Sequence, residues 1–225
     1  MILSNKSILE EKEKGKIVIE PFVPALLGPI SYDVRLGEWY YRQREIGISN
    51  VHSMYNTAHV QRRWGDPEQA KTLAEVCKES KLDPKEIIGG DIPLTDQVIL
   101  FAPGENILAH TLEFIGPRGD IMATVHNLSG LRRNQFTICD DADVINPGYI
   151  NRLTLEIENL SRKQYQVIGV GQPIAQYIFK RTEPLLPNTS YEKAGSYQQG
   201  SDLEEIKKNW TPAMMLPRVR YKKFA

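Results

Sequence analysis

The sequence has no excess of charge of either sign. Lysine and arginine together number 28 and aspartate and glutamate also number 28, so the formal net charge of the 225 residues is zero. Such a chain lacks the overall positive field with which proteins attract DNA, RNA or an anionic membrane. We therefore expect no nucleic-acid or membrane partner, although a local group of donors can still bind a small anion.

Cysteine and long apolar runs are also scarce. Cys77 and Cys139 are the only cysteines, and two cysteines cannot build the disulfide framework of a small secreted protein. The N-terminal segment MILSNKSILEEKEKGK has no apolar run suited to a signal peptide. No later segment is apolar enough to span a bilayer. These absences predict a protein of the reducing cytoplasm.

The motifs of several cofactor-dependent or nucleotide-binding protein classes are missing. Zinc nucleobase deaminases use a His-x-Glu motif and a Pro-Cys-x-x-Cys motif, whereas the cysteines here are unpaired and the four histidines are scattered. The Gly-x-x-x-x-Gly-Lys loop and the Gly-x-Gly-x-x-Gly fingerprint are absent as well. The sequence therefore argues against P-loop, Rossmann and zinc sites. If this protein deaminates a nucleobase, a carboxylate must activate the attacking water in place of zinc.

The pattern from 97 to 183 is almost wholly β. Short apolar runs alternate with turn signals such as Asn146-Pro147-Gly148. Many short strands at close spacing predict a sandwich, barrel or jelly roll. Ser7 and Glu10 have the spacing of a capping box, and a short helix is predicted over residues 4–14.

A different pattern, predominantly helical, occupies about residues 47–91. We predict a helix that begins near Asp66-Pro67-Glu68-Gln69, where proline suits the first turn. Four residues would form its buried face: Ala70, Leu73, Ala74 and Cys77. We expect a single β domain over residues 1–187 that carries this helical insertion. Residues 188–225 are expected to form a C-terminal arm or lid that needs another surface to order it.

Candidate catalytic residues lie on one predicted strand. Leu153, Leu155 and Ile157 alternate with four polar residues, and in a strand the two sets face opposite sides. The polar set consists of Arg152, Thr154, Glu156 and Glu158. This polar face is either a solvated sheet surface or part of a cleft in which one carboxylate acts as general acid and base. The second role is worth roughly 10²–10⁴ in rate, and the pattern alone leaves both interpretations open.

Two further segments carry potential ligand-binding groups. Residues 126–133 combine a serine and a glycine with two arginines, and such a loop can offer backbone N–H groups and guanidinium donors to phosphate oxygens. Ser-Gly turns beside arginines are also common in proteins without any ligand. Asp140, Asp141 and Asp143 are spaced closely enough to bind a divalent cation, but an aspartate-rich turn is the favoured interpretation.

Taken in order, several segments resemble the dCTP deaminase family of the dCTP deaminase/dUTPase superfamily. The segments are Met1-Ile2-Leu3-Ser4, Ile19-Glu20-Pro21-Phe22, Tyr32-Asp33-Val34-Arg35-Leu36-Gly37, Pro103-Gly104-Glu105 followed by Thr111-Leu112-Glu113, Asn146-Pro147-Gly148-Tyr149, Leu155-Glu156-Ile157, and Gly171-Gln172-Pro173-Ile174-Ala175-Gln176-Tyr177-Ile178-Phe179. The resemblance covers about residues 1–40 and 97–200 and leaves the stretch at 47–91 outside it.

The resemblance implies a mainly β fold, a distorted jelly roll of the dUTPase-like β-clip type. It also implies a homotrimer with active sites between subunits, and hydrolytic deamination of dCTP to dUTP and ammonia. No zinc takes part, and Mg²⁺ accompanies the deoxynucleoside triphosphate. The family's proton-shuttling glutamate follows the first position of a turn by ten residues, a count that leads from Asn146 to Glu156 rather than to Glu158.

The same resemblance assigns roles to other residues. Ser129 and Arg133 fall beside the reactive centre, and the backbone carbonyl of Ala142 falls where the water or the amino group is held. Tyr149 is expected to pack against C2′ of the deoxyribose, which would select deoxy over ribo substrates. Other implied nucleotide contacts, the last three in a lid that excludes water, are Leu128, Gly130, Leu131, Arg132, Asn146, Thr154, Leu155, Tyr191, Gln198 and Gln199.

Some positions depart from the family pattern and separate the possible activities. Leu128 replaces an arginine, Gly130 replaces a serine, and the lysine expected just before Tyr197 is missing. Asn146 stands where dUTPases carry an aspartate that orients the attacking water, and a neutral amide cannot act as a base. We therefore rank deamination of dCTP, or of a closely related deoxycytidine nucleotide, first. A dUTPase or bifunctional deaminase/dUTPase ranks second, and a nucleotide-binding regulatory paralogue with little turnover ranks third.

Overall fold

The computed structural model describes residues 1–44, 51–83, 85, 92–198, 200–218 and 221. The described chain is mainly β, as the sequence predicts. Its strands are β1 Ile17–Glu20, β2 Tyr32–Arg35, β3 Trp39–Arg42, β4 Glu68–Gln69, β5 Lys71–Thr72, β6 Gln97–Phe101, β7 Asn106–Pro117, β8 Ile121–Asn127, β9 Phe136–Thr137, β10 Val144–Ile145, β11 Asn151–Asn159, β12 Gln166–Gly169 and β13 Pro173–Arg181. Its helices are α1 Asn5–Glu13, α2 Thr57–Trp64, α3 Leu73–Ser80, α4 Ser129–Arg133, α5 Tyr191–Ala194 and α6 Leu203–Asn209, with 3₁₀ turns at Pro24–Leu26 and Pro212–Met215.

The strands pair into three antiparallel sheets. A six-stranded sheet has the order β4-β3-β7-β11-β9, with β1 also paired to β7, and a four-stranded sheet has the order β10-β8-β13-β2. A three-stranded sheet joins β12, β6 and β5. The main core unites the two larger sheets, because Ile157 of β11 and Tyr177 of β13 belong to the same buried cluster and are both fully buried.

Strand β7 is covered on both of its faces. Ile107, Ala109 and Ile115 belong to the main core, whereas Leu108 and Phe114 belong to separate buried clusters. Alternate residues of a strand point to opposite sides of the sheet, so these separate clusters lie on the outer face. Side chains from α2, α6 and the second 3₁₀ turn complete the outer clusters.

The stretch that we predicted as a helical insertion contains both helices and short strands in its described part. The helix predicted from Asp66 is wrong in its start: Glu68–Gln69 pairs with β3, Lys71–Thr72 pairs with β6, and α3 begins only at Leu73. A capping box explains the later start, since the Thr72 hydroxyl accepts from the N–H of Glu75 and the Glu75 carboxylate accepts from the N–H of Thr72.

Helix α1 confirms the short N-terminal helix, but its cap differs from the predicted one. The side chain of Ser4, rather than that of Ser7, accepts a hydrogen bond from a helical backbone N–H. Ser4 has an extended backbone, as N-cap residues do. Ser7 therefore donates its backbone N–H to the Ser4 hydroxyl and is not itself the N-cap residue.

The C-terminal arm finds its ordering surface on the chain's own six-stranded sheet. Ile206 and Met215 are only 5% and 3% exposed. The ring of Trp210 lies 4.6 Å from the ring of His110, and the guanidinium of Arg152 lies 4.6 Å from the same tryptophan ring. Among the described residues, no helix is long and apolar enough to cross a membrane.

Candidate active site

Strand β11 directs Glu156 away from the main core. Leu155 and Ile157 on either side are fully buried in that core, so the intervening carboxylate points to the outer face. Glu156 stands opposite Leu108 of β7 in the sheet register. The predicted alternation is thus confirmed for the C-terminal part of the strand, and Leu155 can offer a ligand only its backbone.

The N-terminal part of β11 departs from that alternation. The register with β7 shifts between Arg152 and Thr154, and such irregularities turn side chains away from the regular pattern. Leu153 consequently packs against the core and also lines the cavity that contains Glu156. The prediction that Leu153 faces the core is thus confirmed, whereas its additional place in the cavity lining was not predicted, since a bulge cannot be read from residue alternation.

Glu156 lines a cavity of about 320 Å³. Several residues selected from the sequence line the same cavity: Ala142, Asn146, Tyr149, Thr154 and Tyr191. The local reason is a turn between β10 and β11, in which Gly148 has a φ of +92° that favours glycine. The N–H of Gly148 donates to the carbonyl of Pro117 at 2.8 Å, which fixes the turn against the end of β7.

Burial sets the electrostatics of this cavity. It raises the pKa of the Glu156 carboxyl above its ordinary value, because removal of water disfavours the charged form. Burial, with the nearby charge of Glu156, also raises the pKa of the Cys139 thiol to about 12. Cys139 thus remains a neutral thiol at physiological pH. A carboxyl whose pKa is raised by burial binds a proton more readily, and it is therefore suited to accept a proton and return it within one reaction.

Aromatic rings connect the turn to the lid. Tyr149 and Tyr191 pack edge to face with ring centroids 5.1 Å apart, and both line the Glu156 cavity. The N–H of Tyr191 donates to the carbonyl of Pro147 at 2.9 Å, and the N–H of Tyr197 donates to the Tyr191 hydroxyl at 3.3 Å. A Cβ on Gly195 would approach the Tyr191 ring to 2.1 Å, so only glycine allows this packing.

Gln198, for which we predicted a nucleotide contact, is engaged through its side chain in hydrogen bonds within the chain. Its side chain is buried; its Oε1 accepts from the N–H of Ile150 at 2.5 Å, and its Nε2 donates to the carbonyls of Gly148 and Gly200 at 2.9 Å each. Gln198 is not among the described residues that line the cavity. It instead ties the lid to the turn. Gln199 lies outside the described residues.

The candidate phosphate-binding segment is separate from Glu156 within the chain. Ser129, Gly130, Arg132 and Arg133 are exposed on or beside the short helix α4, and Leu128 and Leu131 are half-buried. None of these described residues lines the Glu156 cavity. Leu131 and Arg133 instead line a groove of about 690 Å³ beside β6, β9 and β12.

The acidic residues after β9 form a turn. Asp140 and Asp141 are exposed at that turn, as the favoured interpretation of the sequence has it. Across the described parts of the chain, no group of three or more histidine, cysteine or acidic residues is arranged to hold a metal ion.

Sequence reasoning missed seven residues of the cavity lining, namely Leu108, Val144, Ile145, Leu153, Tyr197, Met215 and Pro217. Leu108 was detectable in principle. It follows the core residue Ile107 on β7 and therefore faces the opposite side of the sheet, the side on which its partner Glu156 lies. Met215 and Pro217 gave no local signal, since their position depends on contacts with distant parts of the chain.

Comparisons with known proteins identify a family and agree with this fold. A family model described as dCTP deaminase-like matches residues 2–182. A dCTP deaminase of Halorubrum lacusprofundi is 28% identical over 201 residues, which are 88% of this chain and 86% of that protein. A protein of Methanoculleus marisnigri named "dCTP deaminase, dUMP-forming" is 30% identical over 186 residues, which are 81% of this chain and 82% of that protein.

A solved structure shows the same fold. The crystal structure of 2′-deoxycytidine 5′-triphosphate deaminase from Agrobacterium tumefaciens matches with a TM-score of 0.53 and 20% sequence identity. The match covers 85% of this chain and 52% of the Agrobacterium chain, so this chain spans about half the length of that protein. The predicted mainly β, jelly-roll type of fold is thereby confirmed.

Proposed function

This chain belongs to the dCTP deaminase-like family, and on that premise we propose that it hydrolyses dCTP, or a closely related deoxycytidine nucleotide, to dUTP and ammonia. The observation that carries the proposal is the position of Glu156. Its carboxyl, with a pKa raised by burial, lines a cavity together with the Ala142 segment and the Tyr149 turn. These are the groups that the family resemblance assigns to the water, the base and the sugar.

The proposed reaction needs one proton shuttle. The Glu156 carboxylate removes a proton from a water molecule as the water oxygen bonds to C4 of cytosine, and the resulting carboxylic acid gives that proton to N3, which forms a tetrahedral intermediate. The carboxylate then takes the proton of the C4 hydroxyl and passes it to the amino group, so that the C4–N bond breaks, ammonia leaves and the C4 carbonyl of uracil forms. Water and dCTP are thus converted to dUTP and ammonia, and general acid–base steps of this kind contribute typically about 10²–10⁴ in rate.

The proposed substrate is the magnesium complex of the triphosphate. In proteins, Mg²⁺ is usually bound by the phosphates of the substrate together with one or two carboxylates, and rarely by protein groups alone. The guanidinium groups of Arg132 and Arg133 are exposed and free to donate to phosphate oxygens. Because these arginines lie outside the Glu156 cavity of their own protomer, we propose a homotrimer in which α4 of one subunit completes the cavity of its neighbour.

A second candidate function is formation of dUMP by further hydrolysis of the triphosphate. The name of the Methanoculleus relative favours it, because that protein is 30% identical to this chain. Asn146 argues against it, since this residue lines the cavity with a neutral amide that cannot act as the base for the attacking water. The two candidates therefore differ in their products, dUTP or dUMP.

Product analysis tests the proposal. The protein is incubated with Mg²⁺ and dCTP, or with dUTP in a parallel tube, and the nucleotides are separated by chromatography. We expect dCTP to give dUTP while dUTP persists, whereas dUMP in either tube would support the second candidate. Stabilisation by nucleotide without any product would indicate the regulatory paralogue.

The variant Glu156→Gln identifies the catalytic carboxylate. We expect it to lose deamination and to retain nucleotide binding, because the amide keeps the shape of the side chain without its ability to accept a proton. Glu158→Gln is the matched control, since Glu158 lies on the same strand but is not among the described residues lining the cavity. Full activity of Glu156→Gln would refute the proposed mechanism.

A further inference from the structure

One apolar wall of the Glu156 cavity comes from beyond the residues that match the family. Met215 and Pro217 line this cavity, whereas the family match ends at residue 182. Leu108, which stands opposite Glu156 in the sheet, lines the cavity beside them. The C-terminal segment therefore supplies part of the lining of this cavity.

Helix α2, in the described part of the stretch at 47–91, holds this wall in place. Met215 is 3% exposed and shares a buried cluster with Tyr41, Val60, Trp64 and Leu108. Val60 and Trp64 lie four residues apart on α2 and so face the same side of that helix. Both are buried, at 6% and 8% exposure.

Local structure fixes both partners of the cluster. The Asn56 side chain caps α2 by accepting from the N–H of Ala58 at 2.9 Å. The segment that carries Met215 is a 3₁₀ turn begun by Pro212, in which the N–H of Met214 donates to the carbonyl of Thr211 at 2.9 Å. Met215 points into the cluster, whereas the adjacent Met214 is only half-buried and belongs to no cluster among the described residues.

From these contacts we propose that α2 and the 3₁₀ turn together form a nucleotide-affinity wall, defined by Val60, Trp64 and Met215, whose cavity-facing member Met215 packs against the pyrimidine ring. Ligand pockets are lined mainly by apolar groups, with few polar groups to orient the ligand. A methionine sulfur also makes favourable contacts with an aromatic ring. Met215 is thus a binding residue, and Trp64 is a positioning residue that acts through it. The identity of the ligand rests on the proposed function.

A double-mutant cycle on nucleotide affinity tests the wall. The parent is the full-length Glu156→Gln protein, in which substrate is not consumed, and the dissociation constant of Mg²⁺–dCTP is measured by titration calorimetry. We expect Met215→Ala to weaken binding by about tenfold or more, as the loss of one methylene or more from an apolar pocket does. Trp64→Ala is expected to weaken binding too, and the double variant to bind about as poorly as Met215→Ala alone, because contacting residues are not additive.

Two matched variants separate the wall from a merely structural role. Met214→Ala removes the neighbouring methionine and is expected to leave the affinity unchanged, whereas Met215→Leu, a nearly volume-conserving change, is expected to restore most of it. If Met215→Ala lowers Tm but binds dCTP as tightly as Met214→Ala, the wall is refuted and the proposed function stands. If the parent protein binds no dCTP at all, the ligand assigned to both the site and the wall is wrong.

Discussion

At the scale of single residues, the burial of Glu156 affects stability as well as catalysis. Because burial raises the pKa of this carboxyl, the folded state disfavours its ionised form. The stabilising contribution is present below the unfolded-state pKa, where the group is protonated, and is lost as the pH rises through the folded-state pKa. Retaining an ionisable group at this position thus lowers the stability of the protein near neutral pH.

A thermal unfolding series checks this linkage. Glu156→Gln is expected to raise Tm at pH 7–8, with each kcal/mol gained equal to about 2–4 °C for a chain of this size, and the difference from the wild type is expected to shrink as the pH falls toward 4.5, the ordinary pKa of the group. Glu158→Gln serves again as the control without this pH-dependent gain. An equal Tm difference at every pH would show that the Glu156 carboxyl is not shifted by burial.

The ring of Tyr149 is expected to select deoxyribose over ribose. Its ring lines the cavity and packs against Tyr191, and burial keeps its hydroxyl neutral by raising the pKa well above 10. If the ring excludes a 2′-hydroxyl, Tyr149→Ala should reduce the preference for dCTP over CTP by about 10–100-fold, as apolar pockets discriminate only modestly against an added hydroxyl. Tyr149→Phe should keep the preference, since it retains the ring.

Competition between the two nucleotides in kcat/KM gives the measurement. Tyr165→Ala is the control, because Tyr165 is 58% exposed and is not among the described residues that line the cavity. A preference for dCTP that survives Tyr149→Ala would assign sugar selection to another group.

At the scale of secondary-structure elements, the lid and the turn behave as one unit through Gln198. Both polar atoms of its buried amide are used, as an acceptor from Ile150 and as a donor to Gly148 and Gly200. The side-chain amide of Asn151 adds a hydrogen bond to the carbonyl of Tyr197 at 3.2 Å. The position of the turn that carries Tyr149 is therefore coupled to the position of the segment around Gln198.

Gln198→Ala would leave the N–H of Ile150 without its acceptor and the carbonyl of Gly148 without its donor from Gln198. An unsatisfied buried group of this kind lowers the free energy of unfolding by about 1–3 kcal/mol. We expect a lower Tm and a KM for dCTP that rises more than kcat falls. Gln198→Glu should recover only the bond from Ile150, because a carboxylate accepts but cannot donate to the Gly148 carbonyl. Gln164→Ala, on an exposed loop, is the control. An unchanged Tm for Gln198→Ala would show that these hydrogen bonds do not stabilise the protein, and it would favour a direct nucleotide contact.

At the scale of the whole molecule, the β architecture was predictable because period-two alternation and turn residues recur from 97 to 183. The same alternation correctly placed Glu156 on the side opposite the core and Leu153 on the core side. It could not show that Leu153 also lines the cavity, which accompanies the register shift between Arg152 and Thr154. The start of α3 was mispredicted because Pro67 imitates a first-turn proline, while the capping box at Thr72 determines the observed start. The wall at Met215 was beyond prediction, since it depends on contacts between segments about 150 residues apart in the sequence.

The proposed function requires that three copies of the chain assemble into a homotrimer. Glu156 and Arg133 lie at different sites of one protomer, so a cavity containing both groups needs α4 of a neighbouring subunit. A closed ring of three identical subunits provides one such composite site at each interface. Light scattering should then give about three times the chain mass of 25.6 kDa.

Complementation tests the composite site directly. Glu156→Gln and Arg133→Ala homotrimers should each be nearly inactive, but coexpression in equal amounts should restore about a quarter of wild-type activity, because one interface in four then joins an intact Glu156 to an intact Arg133 in a closed cyclic assembly. Coexpression of Glu156→Gln with Glu156→Gln bearing a second tag is the control and should recover nothing. If mixed assemblies stay inactive, or if an active monomer is isolated, Arg133 and Glu156 do not meet across a subunit interface and the phosphate donors of this enzyme must lie within one chain.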